Sequence, residues 1–240
     1  MLLYIIKWPP YVHSMEPELL SDGIEIVSCG GGTQRTNMLY VIRHAETTHN
    51  AEGRIRGKDD PSLTPKGRKE AIAVGKMMKG KFDRIVADGM NRTQQTAHLI
   101  APGHKVETDN GLTTLDVGKY SGKKTNPKVE KEFNSQYVDH PEKKIPGGES
   151  VKDWLPKIKS TYEKYLGQSK HEDIALVTHG RPMQAIKNGF KPEAAREGGV
   201  PHLASVVKVG SDNVPREMKQ KIVDSNPAVP QVKLSKLARA

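Results

Sequence analysis

Four short apolar runs stand out along the chain: Met38 to Ile42, Asp83 to Ala87, Ile174 to Val177 and Leu203 to Val209. Each has the length and the aliphatic or β-branched content of a buried strand. Helical spacing fills the stretches between them. Thr64-Pro65 reads as an N-cap followed by proline at the first helical position. Ala71, Ile72, Gly75 and Met78 follow on one face, so this helix runs to about Lys79 and stops near Gly80. A second helix is predicted over Asn91 to Ile100, and Ser150-x-x-Asp153 is a capping box opening a third, to about Leu166.

The two ends read differently from the middle. In residues 1–37, Ile24 to Val27 is a possible edge strand, and Cys29-Gly30-Gly31-Gly32-Thr33 has the glycines of a phosphate loop but not the Gly-Lys-Ser/Thr ending that enters a helix. It is read as a flexible linker, with residues 1–37 an N-terminal extension and the functional domain starting at Met38. From Ser211 onward, prolines at 215, 227 and 230 predict a basic tail, residues 211–240, that is loosely ordered with at most short helices. Residues 38–210 are the expected domain.

Composition narrows the class. The 240-residue chain is 35% hydrophobic and only 5% aromatic, so aliphatic side chains fill a modest core. Of its +10 formal charge, the extension contributes −2 (Lys7 and Arg35 against Glu16, Glu18, Asp22 and Glu25) and the tail +3, leaving +9 on residues 38–210. That balance favours anionic ligands. Cys29 is the only cysteine, which excludes an internal disulfide, and no apolar run approaches bilayer length. A cytoplasmic protein with no membrane partner is expected.

The first candidate chemistry is Arg43-His44, placed where the first strand ends and side chains can converge on a ligand. Gly53 to Pro61 follows as a polar, turn-rich loop able to fold over a site. Arg92 falls in the first turn of its helix, where a cation is disfavoured beside the positive end of the dipole unless an anion binds there. A zinc-protease reading of His44-Ala45-Glu46-Thr47-Thr48-His49 fails because the histidines are five apart, not four, so no metal site is predicted.

Together, Arg43-His44-x-Glu46-Thr47-x-x-Asn50, Leu63-Thr64-x-x-Gly67, Arg92-Thr93-Gln94-Gln95-Thr96-Ala97, Pro146-Gly147-Gly148-Glu149-Ser150 and Val177-Thr178-His179-Gly180 resemble the histidine phosphatase superfamily, in its phosphoglycerate mutase-like branch. The resemblance implies that His44 attacks the phosphorus of a phosphomonoester and that water hydrolyses the phosphohistidine. It implies a phosphate pocket of Arg43, Arg92, His179 and Asn50, with Arg56, Gly57, Thr178 and Gly180 as further substrate-binding positions, and no cofactor. Arginine suits such a pocket because its charged planar fork pairs two oxygens at once.

The chain departs from this family at a telling place. The proton-donor glutamate of a Leu-x-Glu segment falls on Thr114 in Leu112-Thr113-Thr114-Leu115-Asp116, and a threonine hydroxyl is no general acid near neutrality. Asp116 is the nearest substitute, on the same side of an extended segment but roughly 7 Å away. Ala45 replaces a more usual glycine, and Asp88 replaces a serine, with Asp88 free either to orient Arg92 or to weaken phosphate binding.

Residues 123–148, rich in lysine and broken by proline, are expected either to cover the site and attract a polyanionic substrate or to be a solvated surface. The fold expected is a three-layer α/β sandwich, a mostly parallel sheet with helices on both faces. The function expected is a phosphomonoesterase acting on a small phosphorylated substrate, with nucleic acid not expected. A weakened phospho-ligand-binding module and a mutase-type phosphotransferase are the alternatives.

Overall fold

The computed structural model describes residues 37–196, 201–210 and 212–218. The readings of Ile24 to Val27, of the glycine run and of the tail beyond residue 218 lie outside these residues.

Six strands form one sheet, β1 (Leu39–Arg43), β2 (Arg84–Ala87), β3 (Val106–Thr108), β4 (Ile174–Thr178), β5 (Val206–Val209) and β6 (Pro215–Glu217), in the order β3-β2-β4-β1-β5-β6. The pairings β1 with β4, β2 with β4 and β2 with β3 are parallel, whereas β5 runs antiparallel to both β1 and β6. Six α-helices accompany it among the described residues: α1 (Thr48–Ala51), α2 (Pro65–Met78), α3 (Asn91–Ile100), α4 (Pro127–Phe133), α5 (Val151–Gln168) and α6 (Gly180–Lys187).

The central strands are buried on both sides, so their alternation sorts side chains between two cores. Leu39, Val41, Ile174 and Leu176 pack with Val151, Trp154, Ile158 and Met183 of α5 and α6. Tyr40, Ile42, Ala175 and Val177 pack with Ala71, Val74, Met78 and Ala97 of α2 and α3. The expected α/β sandwich with helices on both faces is the architecture observed. No helix among the described residues is long and apolar enough to cross a membrane.

Local chemistry explains the boundaries. The Thr64 side chain accepts from the Gly67 amide at 3.0 Å, capping α2 ahead of Pro65. Gly67 is demanded by packing: a Cβ there would lie 2.1 Å from the Glu46 carbonyl oxygen, so the helix and the segment after His44 approach closely only because that position is bare.

The expectation of a tail without strands from Ser211 is corrected by β6, which extends the sheet past residue 210. Pro215 is tolerated because β6 is an edge strand, where a missing N–H need not break the ladder. Residues 123–148 are also more ordered than a simple basic cover. Phe133 and Tyr137 pack with Tyr120 at centroid distances of 5.5 to 5.8 Å, and Val138 and Ile145 join the core on the α5 side.

Candidate active site

Parallel pairing sets the site. Arg43 stands opposite Thr178 in the register of β1 and β4, so the residues that follow, His44 and His179, leave the sheet side by side. The His44 amide donates to the Thr178 carbonyl at 2.9 Å, and the two imidazole rings lie 5.3 Å apart. Ala87 of β2 stands opposite Val177, which brings Asp88 to the same edge. Three carboxyl ends of strands therefore converge, the usual place for a ligand in an open α/β sheet.

A pocket of about 300 Å³, counted out to its open mouth, is lined by Arg43, His44, Arg56, Arg92, Thr114, His179, Gly180 and Arg181. Six of the sequence-predicted site residues meet there: Arg43, His44, Arg56, Arg92, His179 and Gly180. Four do not line it. The Asn50 side-chain oxygen accepts from the Thr47 amide and hydroxyl at 3.1 and 2.7 Å, so it closes the capping box of α1. Gly57 contributes only its carbonyl, which accepts from Arg92 Nη2 at 3.3 Å. The Thr178 hydroxyl donates to the Leu112 carbonyl at 2.7 Å and so tethers the segment that carries Thr114.

Asp116 is the fourth residue that does not line the pocket. Its carboxylate pairs with Lys58 at 2.7 Å and accepts from the Gly118 amide at 3.0 Å, outside the pocket lining. Its amide donates to Glu149 Oε1 and its carbonyl accepts from the Glu149 amide, so the Pro146-to-Ser150 motif clamps it in place. Gly118, at φ 45°, makes this clamp possible: a Cβ there would sit 2.2 Å from the Pro146 carbonyl oxygen. Thr114, by contrast, faces the pocket, at the position where the family resemblance calls for a proton donor.

Hydrogen bonds define the histidine tautomers. His44 Nδ1 lies 2.8 Å from the Ala45 carbonyl, an acceptor only, so Nδ1 carries the proton and Nε2 holds the lone pair. Burial, then the neighbouring His179 ring and the charges of Arg92 and Arg43, hold His44 well below its ordinary value, which keeps the ring neutral at pH 7. Arg92 Nε donates to His179 Nδ1 at 3.3 Å, which leaves Nε2–H of His179 to donate to Asp88 Oδ2 at 2.7 Å. Burial outweighs the Asp88 charge and keeps His179 below its ordinary value as well.

Asp88 is fully buried, and burial alone would favour its neutral form. The His179 ring and the hydroxyls of Thr113 and Thr93 oppose that and hold its carboxyl far below the usual carboxylate range. Of the two roles open to Asp88, the geometry supports orientation, of His179 rather than of Arg92. The anion at the start of α3 is Asp60, which accepts from the amides of Asn91 and Arg92 at 2.5 and 3.3 Å and lies 3.4 Å from Arg92 Nη1.

Arg181, missed in the sequence, is the second residue of α6, two after His179, and packs its guanidinium over the Phe133 ring at 5.2 Å. The available signal was the same as for Arg92: an arginine in the first turn of a helix that follows a buried strand. Burial and the Arg56 charge lower Arg43 to about 9, and burial with Arg56 and Arg43 lowers Arg181 to about 9, so both are cations at neutral pH. Arg43 Nη1 reaches the Pro201 carbonyl, while its buried Nε has no hydrogen-bond partner. No group of three His, Cys, Asp or Glu side chains among the described residues could hold a metal ion.

Comparison with known proteins identifies the family and the fold. A family model described as the histidine phosphatase superfamily (branch 1) matches residues 39–220. A protein named probable phosphoglycerate mutase GpmB from Salmonella choleraesuis (strain SC-B67) is 32% identical over 148 residues, covering 59% of this chain and 69% of the relative. Among solved structures, the product of an open reading frame of Mycobacterium tuberculosis is 26% identical with a TM-score of 0.64, over 77% of this chain and 97% of that one. A phosphoserine phosphatase mutant from Entamoeba histolytica in complex with phosphoserine is 23% identical with a TM-score of 0.62, over 76% and 95%, and is a likeness of fold.

Proposed function

The chain belongs to the histidine phosphatase superfamily, and we propose that within it this protein is a phosphomonoester hydrolase working through a phosphohistidine on His44. The observation that carries this reading is the tautomer of His44. A neutral ring with its proton tied to the Ala45 carbonyl and its Nε2 lone pair left for the pocket is a prepared nucleophile.

Nε2 attacks phosphorus in line with the leaving oxygen, and the ring gains positive charge as the N–P bond forms. The Ala45 carbonyl then holds a more acidic Nδ1–H, a hydrogen bond that strengthens along the reaction coordinate. Arg43 and Arg92, which line the pocket together with His44, stabilise the equatorial oxygens. Gly180, at the N-terminus of α6, adds the positive end of a helix dipole. His179 shapes the pocket wall, fixed between Arg92 and Asp88. Water then takes the phosphoryl group from His44. A cytoplasmic setting belongs to the same reading and rests on the lone cysteine.

The donor position occupied by Thr114 makes the leaving group decisive. Phenyl phosphate, whose leaving oxygen needs little protonation, should be hydrolysed faster than an alkyl phosphate by roughly the ~10²–10⁴-fold that general acid catalysis contributes. If neither is hydrolysed above a His44→Ala control, the protein is a phospho-ligand-binding module. The mutase name of the Salmonella relative favours a second reading, in which a second acceptor and not water takes the phosphoryl group. Following 3-phosphoglycerate by phosphorus NMR separates the two: isomerisation supports the mutase, and free phosphate the hydrolase.

A further inference from the structure

The pocket holds four arginines and no carboxylate among its lining residues. One phosphoryl group carries two negative charges at most, fewer than the guanidinium groups that line the pocket. The arginines also fall into two sets. Arg92 and Arg43 act on His44 directly, and Arg92 has Asp60 beside it. Arg56 forms the second set with Arg181: it donates to the Arg54 carbonyl at 3.1 Å, no carboxylate pairs with it among the described residues, and its charge is felt at Arg43, Arg92 and Arg181 alike. Arg181 is supported from below by Phe133 of the 123–148 segment.

The pocket also lacks a proton for the leaving oxygen. Thr114 stands at the donor position, Asp116 is held outside by Lys58 and Glu149, and the one ring proton of His179 is directed at Asp88. An alkoxide leaving without a proton is costly, since even water in bulk ionises only near pKa ~15.7. A phosphate leaving group needs none, because its own second ionisation lies near pKa ~6.

Resting on the phosphatase reading of the same site, we propose that the preferred substrates are diphosphate monoesters, cleaved at the terminal phosphoanhydride, with Arg56 and Arg181 receiving the phosphate that leaves. The His44 Nε2 lone pair forms the N–P bond to the terminal phosphorus as the bridging P–O bond breaks. The bond pair stays on the bridging oxygen, which departs as a phosphate monoester dianion with no proton taken up. Water then bonds to phosphorus, the N–P pair returns to Nε2, and both water protons leave with the product as dihydrogen phosphate, which ionises in solvent. No oxidant, metal or co-reactant enters the balance.

Methyl diphosphate and methyl phosphate differ by a single phosphoryl group and make the test, with phenyl phosphate as the reference and phosphate release as the readout on the full chain. The expected result is a kcat/KM at least ~10²-fold higher for methyl diphosphate than for methyl phosphate, the size of the missing acid contribution. Thr114→Glu should compress that ratio at least ~10-fold, because it supplies a proton to the alkyl ester and repels the second phosphate. Thr114→Asp repeats the test if the longer side chain prevents folding. Methyl phosphate cleaved as well as methyl diphosphate, with His44-dependent phenyl phosphate hydrolysis intact, would overturn this inference and leave the phosphatase reading standing. No hydrolysis of any of the three above His44→Ala would overturn both.

Discussion

Removing the Asp88 carboxylate should cost the protein much of its stability. Asp88 is fully buried and accepts from His179 Nε2 at 2.7 Å and from the Thr113 hydroxyl at 2.6 Å, with the Thr93 hydroxyl on its other oxygen. Asp88→Ala strands the first two donors. Thr93 loses less, because its hydroxyl already reaches the Met90 carbonyl at 2.7 Å. Leaving a buried donor unsatisfied costs about 1–3 kcal/mol, so the two stranded donors cost about 2–6 kcal/mol. At roughly 2–4 °C per kcal/mol for a domain of this size, the expected fall in Tm at pH 7 is about 4–24 °C. Asp88→Asn keeps an acceptor for His179 and should lose about half as much. Because folding lowers the Asp88 pKa, its contribution is complete above the ordinary aspartate value of 3.8 and fades as pH falls through the folded value. The gap between wild type and Asp88→Ala should therefore be flat from about pH 5 to 8 and narrow only in strong acid. Scanning calorimetry on the three proteins measures it. A fall of less than about 2 °C at pH 7 would refute the role assigned to Asp88.

Other consequences are as direct. Asp116→Asn should leave kcat/KM for phenyl phosphate within about 3-fold of wild type, since Asp116 pairs with Lys58 outside the pocket; a ~10²-fold loss would return it to the role of general acid. His44 lies well below its ordinary 6.5, so it stays neutral as pH is lowered, and kcat/KM referred to the substrate dianion should not fall as pH drops through that value. A pH profile with an acid limb near 6.5 would contradict the environment described. Gly67→Ala should destabilise by about 1–3 kcal/mol, because the new methyl meets the Glu46 carbonyl at 2.1 Å; an unchanged denaturant midpoint would show that the helix can shift.

What could be read from the sequence followed from how strongly each position is constrained. Met38 to Ile42 and Ile174 to Val177 are legible as strands because both faces of the sheet are covered, leaving uninterrupted apolar runs, and His44 and His179 follow from the ends of those runs. The place of Asp116 is not legible in the sequence, because a spacing of two residues says nothing about a segment that turns at Gly118 and is clamped by Glu149. Asn50 fits a phosphate-pocket motif and a capping box equally well in one dimension, and the cap took its side-chain oxygen. The strand β6 was hidden by Pro215, which speaks against a strand except at an edge, and edge positions are known only once the sheet is assembled. Arg181 carries the same local signal as Arg92, an arginine in the first turn of a helix after a buried strand, but its place beside Arg43 and Arg56 depends on α6 following β4.

The central claim is that His44 carries the phosphoryl group during turnover. Rapid acid-free quenching of the enzyme with phenyl phosphate, followed by peptide mass spectrometry and phosphorus NMR, tests it most directly. A phosphoryl group on the peptide containing His44, on Nε2, formed and lost at rates compatible with turnover and missing from His44→Ala, is the result predicted. Turnover that persists in His44→Ala, or a phosphoryl group on any other residue, would contradict the account.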